Sequence, residues 1–272
     1  RAPQITVIQH NGLIINGKTH VHVKLYAVES VKDTPISPDL ILLTVKSYDT
    51  ETAIKQTLPL IRDETLVVSL QNGLDNIEKM EHIVDQGSII AGVTTHGAIF
   101  SNPGVIRHTG KGKTILGELD GTRSKRLEDI VRLFNEVGIE TQVSDDVIKE
   151  IWAKAIINSS INPLTAFFHC KNGYLLENPL LDKIVETISE ESTNIAQAEG
   201  IKLTASNMIQ RTKEVIKDTA SNYSSMLQSV QQRKKTEIDS INGKLVTIGT
   251  QHRIDTSLNK ILVELVTSLT DE

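Results

Sequence analysis

Cysteine and aromatic side chains are scarce in this sequence. Its 272 residues include one cysteine, Cys170, and only 3% aromatic residues. A lone cysteine excludes an internal disulfide and a zinc site built from several thiolates, and it favours a reducing, cytoplasmic setting. Because aromatic residues are few, the core must consist mainly of Ile, Leu, Val and Ala.

Long apolar runs and an excess of positive charge are missing as well. No apolar stretch has the length of a bilayer-spanning helix, and residues 1–9 lack the apolar region of a signal peptide. The formal net charge of -5 gives no electrostatic reason to expect nucleic acid or a membrane surface as a partner. The composition is that of a globular protein, with 39% hydrophobic and 23% charged residues.

A glycine-rich turn is absent from the start of the chain. A nucleotide-binding sheet normally opens with a strand, a G-x-G-x-x-G turn and a helix, and no such cluster precedes Asp39. Residues 5–8 and 13–15 look like material that follows a second strand. We therefore expect about one strand-helix-strand unit, roughly 30 residues, to be missing at the N-terminus.

The first half of the sequence alternates between strand and helix patterns. Short apolar runs predict buried strands at residues 39–45, 65–69 and 88–93. Helical stretches separate them, at residues 50–62 and 76–85. The Gly- and Thr-rich region that follows predicts antiparallel strands that close off the sheet, then a helix and a last strand, at residues 94–118, 124–137 and 139–143. This order is typical of a doubly wound α/β sheet.

The strand signal nearly vanishes in the second half. Helical patterns take its place, at residues 148–168, 180–199, 204–217, 226–249 and 257–270. We therefore predict a Rossmann-like dinucleotide-binding domain over residues 1–145 and a helical substrate or catalytic domain over residues 146–272. The long helices could also form the face of a homodimer.

Three polar side chains are spaced one turn apart in the helix predicted for residues 148–168. Lys154, Asn158 and Asn162 share one helix face, while most of their neighbours are apolar. A buried lysine needs a partner or a lowered pKa, and two amides offer donors and acceptors to a small polar ligand. Spacing alone does not decide whether this stripe is a site or a polar seam between helices.

Other candidate site residues are ambiguous when each is taken alone. Ser225 can serve as the N-cap of a following helix, and Glu237 gains interest only as a partner for Lys154. Lys46 and Asn72 follow predicted parallel strands, where open α/β sheets bind ligands. Asn72 and the glycine after it also form a common tight-turn dipeptide. The scattered histidines suggest no metal site.

Taken together, these segments resemble the ketopantoate reductase (2-dehydropantoate 2-reductase) family over essentially the whole chain. The matching motifs run in order, as VKS at 45–47, QNG at 71–73, GVTTHGA at 92–98, HTGKGKTILG at 108–117, WAKAIINSSINPLTA at 152–166, NG at 172–173, SSMLQ at 224–228 and TEIDSINGKLV at 236–246. The resemblance implies a Rossmann-like doubly wound parallel sheet, N-terminally incomplete here. A helical domain of the 6-phosphogluconate-dehydrogenase-like type should follow it.

The resemblance also implies an activity and roles for individual residues. The implied reaction is NADPH-dependent reduction of 2-dehydropantoate, a 2-oxo acid, to (R)-pantoate on the route to pantothenate and coenzyme A. Lys154 would be the general acid. The implied substrate contacts are Asn72, Asn158, Asn162, Asn172 and Ser225. The implied cofactor contacts are Arg1 for the 2′-phosphate, Lys46, Asn72, the Ala98 backbone, and Glu237, which could also orient Lys154.

Two departures from the family pattern leave alternatives open. Without the glycine-rich turn, no residue can be assigned to the cofactor pyrophosphate, and Ser229 stands where the family commonly has an acid. One alternative is a related 2-oxo or 3-hydroxy acid reductase of the same fold. The other is a non-catalytic relative or fragment that lacks cofactor binding.

Overall fold

A computed structural model describes residues 2–270 of the chain, which divide into two compact units. The first unit contains residues up to 44, 50–70 and 80–147. The second contains residues 45–49, 71–79 and those from 148 onward. Two short segments of the N-terminal half therefore belong to the helical unit, which a single boundary near residue 145 does not anticipate.

Within residues 2–270, all the β-strands lie in the first unit, whereas helices occur in both units. The strands are β1 (Leu13–Gly17), β2 (Val21–Val23), β3 (Leu40–Leu43), β4 (Leu66–Ser69), β5 (Ile89–Thr94), β6 (Gly97–Asn102), β7 (Val105–Gly110), β8 (Thr114–Gly117) and β9 (Thr141–Val143). The helices are α1 (Ala2–Asn11), α2 (Thr50–Thr57), α3 (Asn76–Glu81), α4 (Lys125–Glu136), α5 (Val147–Phe168), α6 (Tyr174–Glu177), α7 (Pro179–Ala198), α8 (Ala205–Asp218), α9 (Ser225–Gln231), α10 (Lys244–Gln251) and α11 (Ser257–Ser268).

A five-stranded sheet in the order β3-β4-β5-β8-β9 forms the centre of the first unit. The apolar runs that predict β3, β4 and β5 pair in parallel, and β8 joins β5 in the antiparallel sense. Helix α4 begins at Ser124, whose side chain accepts a hydrogen bond from Leu127 N. It packs Leu127, Ile130 and Phe134 against the sheet. Each fully buried side chain of this kind stabilises the fold by about 1.5–3 kcal/mol.

A second, four-stranded sheet corrects part of the strand prediction for residues 94–118. Only β8 extends the five-stranded sheet, whereas β6 and β7 form a hairpin that joins β1 in the order β2-β1-β7-β6. Gly104 at the hairpin turn has a φ of +75°, a conformation that glycine adopts without strain. The sequence predicts the antiparallel hairpin but does not indicate which sheet it joins.

The second unit is helical, as predicted, and its core surrounds α5. Ile156, Ile161 and Leu164 of α5 pack with apolar side chains of α7, α8 and α10. Because α5 is apolar around most of its circumference, it is a buried central helix. Pro163 does not end it, since α5 continues to Phe168.

The single helix predicted for residues 226–249 is wrong. Helix α9 ends near Arg233, which has a left-handed φ of +49°. A connection follows, and then a π-helical turn, Asp239–Gly243, leads into α10. The connection at residues 231–237 is entirely polar, a signal that the prediction of one helix did not use. Ile238, Ile241 and Leu245 keep a helical spacing through the π-helical turn, so periodicity does not reveal that turn.

At the N-terminus, residues 5–8 lie in α1 and residues 13–15 in β1. Helix α2 is shorter than predicted because the chain tightens into a 3-10 turn, Leu58–Leu60, that contains Pro59. Within residues 2–270, none of the helices is long and apolar enough to cross a membrane. The fold class is nonetheless the expected one, a Rossmann-like α/β part followed by a helical part.

Candidate active site

Helix α5 places the polar stripe on one face of a largely buried helix. Lys154 and Asn158 are half-buried and Asn162 is buried, 6% exposed. Among residues 2–270, the side-chain amides of Asn158 and Asn162 form no hydrogen bond. Their donors and acceptors therefore remain open to a small polar ligand.

The Lys154 ammonium has an unusual proton affinity. Burial lowers the pKa of Lys154 from 10.5 to about 8, because leaving water penalises the charged form. The negative charge of Glu237 partly opposes this shift. A lysine with a pKa near 8 can both give up and take back a proton close to neutral pH.

The Glu237 carboxylate gathers three donors from segments that are distant in sequence. Its Oε2 lies 2.9 Å from Lys46 Nζ and 3.4 Å from Asn72 Nδ2, and its Oε1 accepts a hydrogen bond of 3.1 Å from Ser47 N. The Glu237 side chain is only 5% exposed. A buried carboxylate with this many donors is fixed in orientation.

Segment 71–79 is held against the π-helical turn by one main-chain and one side-chain hydrogen bond. Leu74 N donates to Ser240 O at 2.9 Å, and Ser240 Oγ donates to Asp75 Oδ2 at 3.2 Å. Gly73 has a φ of +105°, and a Cβ atom there would lie 2.9 Å from the Ser240 Cβ. This close approach explains why glycine follows Asn72 and fixes the Asn72 side chain near Glu237.

Ser224, and not Ser225, is the N-cap of α9. The Ser224 hydroxyl accepts from Leu227 N at 3.1 Å and from Thr165 Oγ1 at 2.7 Å, and the residue is buried. Ser225 occupies the first helical position and is exposed. The sequence could not separate these two adjacent serines, because either one satisfies the N-cap preference.

Asn172 precedes α6 and presents an unused acceptor. Its Nδ2 donates to Thr219 Oγ1 at 2.9 Å, and its backbone N donates to Asn222 O at 3.0 Å. The buried Oδ1 atom has no hydrogen-bond partner among residues 2–270. Buried polar atoms are nearly always paired, so an unpaired one indicates a ligand contact or a bound water.

Lys46 and Asn72 are in direct contact with Glu237. The negative charge of Glu237 also acts on Lys154, whose pKa it raises. Ala98 is an exposed residue of β6, and Arg1 lies outside the described residues. Sequence reasoning missed the backbone N–H of Ser47 and the side chain of Ser240. Both lie inside matched motifs, but their partners are more than 160 residues away in sequence.

Two family models match the chain. One, described as ketopantoate reductase PanE/ApbA, matches residues 1–121, and its C-terminal counterpart matches residues 146–270. The chain is 38% identical over 266 residues to the 2-dehydropantoate 2-reductase of Pyrococcus horikoshii, covering 98% of this chain and 86% of the relative. It is 33% identical over 266 residues to the enzyme of that name from Archaeoglobus fulgidus, with the same coverage of both chains.

Solved structures of a ketopantoate reductase and of a dehydrogenase have a similar fold. A ketopantoate reductase of the PanE/ApbA family from Ralstonia eutropha superposes with a TM-score of 0.91 at 27% identity, covering 100% of this chain and 89% of the other. A complex of D-mandelate dehydrogenase with NADH has a TM-score of 0.92, with the same identity and coverage. Since two family models together span most of its length and relatives exceed 30% identity, the chain belongs to the ketopantoate reductase family of oxidoreductases.

Proposed function

We propose that this protein reduces 2-dehydropantoate to (R)-pantoate with NADPH, in the pathway to pantothenate and coenzyme A. The observation that carries the proposal is Lys154, partly buried on α5, with a pKa of about 8 and the charge of Glu237 beside it. The relatives from Pyrococcus horikoshii and Archaeoglobus fulgidus, both named 2-dehydropantoate 2-reductase, support the same reaction.

Lys154 acts as the general acid in this proposal. A nicotinamide cofactor supplies the hydride when it is bound. As the keto carbon is reduced, negative charge builds on the keto oxygen, and an ammonium within hydrogen-bond reach stabilises that charge. Lys154 Nζ then transfers its proton to this oxygen, so the product is the neutral alcohol. Glu237 keeps Lys154 protonated below about pH 8 by raising its pKa against the effect of burial.

The residues present fit a nicotinamide dinucleotide. Lys46 and Asn72 each come three positions after a strand, β3 and β4, and these strands are parallel neighbours. The carboxyl ends of such strands are where open α/β sheets bind dinucleotides. We assign Lys46, Asn72, Glu237 and the Ala98 backbone to the cofactor. Arg1, which would favour NADPH through the 2′-phosphate, lies outside the described residues.

The substrate-binding side chains are amides and one hydroxyl in this proposal. Asn158 and Asn162 extend from the face of α5 that carries Lys154, and both amides are available to a ligand. The unpaired Oδ1 of Asn172 can accept a hydrogen bond from a substrate hydroxyl. The exposed Ser225 and the half-buried Asn72 complete the proposed substrate contacts. Residues 146–272 would accordingly be the substrate domain and residues 1–145 the dinucleotide-binding domain.

A related 2-oxo acid is the second candidate substrate, because the D-mandelate dehydrogenase complexes superpose as well as the ketopantoate reductase does. The two candidates differ at the group next to the 2-oxo acid, a hydroxylated branched alkyl in one and a phenyl ring in the other. A site that hydrogen-bonds a substrate hydroxyl rejects analogues that lack it. The amides of Asn158, Asn162 and Asn172 therefore favour 2-dehydropantoate.

A substrate panel tests the proposal. NADPH oxidation is followed by absorbance with 2-dehydropantoate, phenylglyoxylate and 2-oxoisovalerate, the last of which lacks the hydroxymethyl group. We expect kcat/KM for 2-dehydropantoate to exceed both others by at least about 100-fold. Equal or higher kcat/KM with phenylglyoxylate would replace the proposed substrate with an aromatic 2-oxo acid. No turnover of any member would reject the reductase assignment.

A further inference from the structure

Pro163 leaves a gap in the hydrogen bonding of α5. In a helix, each backbone N–H donates to the carbonyl four residues earlier, and proline has no N–H. The carbonyl that loses its donor is that of Ser159, which directly follows Asn158 and lies between Lys154 and Asn162. Ser159 is fully buried, so water cannot easily take the place of the missing donor.

The side chain of Asn242 supplies a replacement donor. Asn242 Nδ2 lies 3.1 Å from Ser159 O, and both residues are fully buried. The same nitrogen donates to Asn259 Oδ1 at 2.9 Å. An amide nitrogen carries two protons, so these two bonds use all of its donor capacity.

The orientation of the Asn242 amide is dictated by its neighbours. Asn259 Nδ2 donates to Glu191 Oε1 at 2.7 Å, which turns Asn259 Oδ1 toward Asn242. Glu191 in turn accepts from the backbone N–H groups of Leu258 and Asn259 at the start of α11. A flipped Asn242 would set its oxygen against two acceptors, so the two donor bonds fix the orientation of the amide. In this orientation the buried Oδ1 of Asn242 has no hydrogen-bond partner among residues 2–270.

Asn242 also belongs to the element that carries Glu237 into the site. It lies in the π-helical turn, which begins two residues after Glu237, and Ile241 N donates to Glu237 O at 3.2 Å. The neighbouring Ser240 O holds segment 71–79 through Leu74 N. Single π-helical turns of this kind occur frequently at functional sites.

We propose that Asn242 is a positioning residue, which replaces the N–H that Pro163 lacks and thereby fixes the Lys154 face of α5 in register with Glu237. The proposal rests on the proposed function for its catalytic consequence. Its structural part, the bond from Asn242 to Ser159, stands independently and is tested separately.

A double-mutant cycle with Pro163→Ala tests the structural part. Alanine restores an N–H at position 163 that can donate to Ser159 O. In the wild-type background, we expect Asn242→Ala to lower the Tm by about 5 °C, because two buried acceptors lose their donor. In the Pro163→Ala background, Asn242→Ala should lower the Tm by about half as much. The new N–H of residue 163 donates to Ser159 O, so only Asn259 Oδ1 is left without a donor. Equal losses in both backgrounds would overturn the replacement role.

The kinetics of the same variants test the positioning role. We expect Asn242→Ala to lower kcat roughly tenfold with the affinity for NADPH unchanged, because misplacing Lys154 affects the chemical step. Most of kcat should return in the double variant with Pro163→Ala. Thr193→Val is the control, since it removes a fully buried hydrogen-bonding side-chain group elsewhere in the helical unit, the Thr193 hydroxyl, which donates to Ser189 O at 2.6 Å. It should lower the Tm and leave kcat unchanged.

The experiments distinguish an error in the positioning role of Asn242 from an error in the proposed function. If the wild-type protein does not reduce 2-dehydropantoate, the proposed function is wrong, while the stability cycle still reports on Asn242 and Ser159. A comparable loss of kcat in Thr193→Val, or no rescue by Pro163→Ala, would overturn positioning by Asn242. If Pro163→Ala does not fold, the comparison of kcat in Asn242→Ala and Thr193→Val tests the positioning role. A loss of kcat in Asn242→Ala alone supports that role, and equal losses in the two variants overturn it.

Discussion

At the scale of single residues, the proposed catalytic role of Lys154 comes with a cost to the stability of the fold. Its burial on α5 lowers its pKa to about 8, which means that the folded protein binds the lysine proton less tightly than the unfolded chain does. The same environment that suits an acid working near neutral pH therefore destabilises the fold. Active sites commonly carry groups of this kind.

We expect Lys154→Met to raise the stability of the protein at pH 7. Below about pH 8, Lys154 is protonated in both states and the folded state carries the whole penalty of burying the charge. Between about pH 8 and 10.5 the unfolded chain binds more protons, so the penalty disappears as the pH rises. The gain at pH 7 is at most about 3 kcal/mol and should vanish near pH 10.5.

Urea unfolding of both proteins across this pH range measures the effect. Lys260→Met is the control, because Lys260 is an exposed lysine on α11 and its loss should change little at any pH. A Lys154→Met protein that is less stable than wild type at pH 7 would show that the ammonium is well paired in the folded state and not penalised.

At the scale of elements, substitutions of the two serines at the start of α9 should have different effects. One should lower the stability of the fold, and the other should weaken substrate binding. Ser224→Ala removes the N-cap and a bond from Thr165, so it should lower stability by about 1–2 kcal/mol. Ser225→Ala removes an exposed hydroxyl with no capping role. It should leave the Tm unchanged and raise the KM for 2-dehydropantoate about tenfold. A Tm loss in Ser225→Ala without a change in KM would reverse the two roles.

The close contact between Gly73 and Ser240, which joins segment 71–79 to the π-helical turn, can be tested by substitution. Gly73→Ala introduces a Cβ atom 2.9 Å from the Ser240 Cβ at a φ of +105°. Gly200→Ala is the control, because Gly200 also has a positive φ of +81° but has no atom within 4 Å of the added Cβ. Backbone strain should lower the free energy of unfolding of both glycine variants by about 1 kcal/mol.

Only Gly73→Ala should displace Asn72 as well, and so weaken NADPH binding, measured by calorimetry. Equal affinity for NADPH in the two glycine variants would show that Asn72 does not depend on this contact.

The sequence predicts elements well where local pattern and packing agree, and poorly where they diverge. The β4 and β5 strands are short apolar runs because both faces of the sheet are buried there. The prediction of a fully buried strand at residues 39–45 is wrong, because β3 is the edge strand of its sheet and leaves Leu42 47% exposed. Helix α4 has a capping serine and a glycine stop, so its ends are visible in the sequence. The polar run at residues 231–237 coincides with the break between α9 and α10, and the prediction of one continuous helix passed over it. The π-helical turn after it is not visible, because its apolar residues keep a helix-like spacing.

At the scale of the whole molecule, cofactor binding distinguishes an enzyme from a non-catalytic relative. We expect the 272-residue chain to bind NADPH saturably, with a dissociation constant in the micromolar range, roughly 1–100 μM. Binding to the folded state alone should raise the Tm in proportion to the logarithm of the NADPH concentration. A Tm independent of NADPH up to the millimolar range would favour the non-catalytic alternative.

The two compact units of the structure are not the two continuous ranges, 1–145 and 146–272, that the sequence predicts. Residues 45–49 and 71–79 follow strands of the first unit, yet they belong to the helical unit. The contacts that place them, from Lys46 and Ser47 to Glu237 and from Leu74 to Ser240, span more than 160 residues. Spacing and periodicity report local neighbours only, so such long-range contacts become visible only in the structure.

The pH dependence of the reaction tests the central claim, that Lys154 is the general acid, most directly. For wild-type protein, kcat/KM for 2-dehydropantoate reduction should be constant below about pH 8 and fall tenfold per pH unit above it, as Lys154 loses its proton. In Lys154→Met the rate should be about 100- to 10,000-fold lower and should show no such fall. A Lys154→Met protein that keeps the wild-type rate, or the same fall near pH 8, would contradict the account.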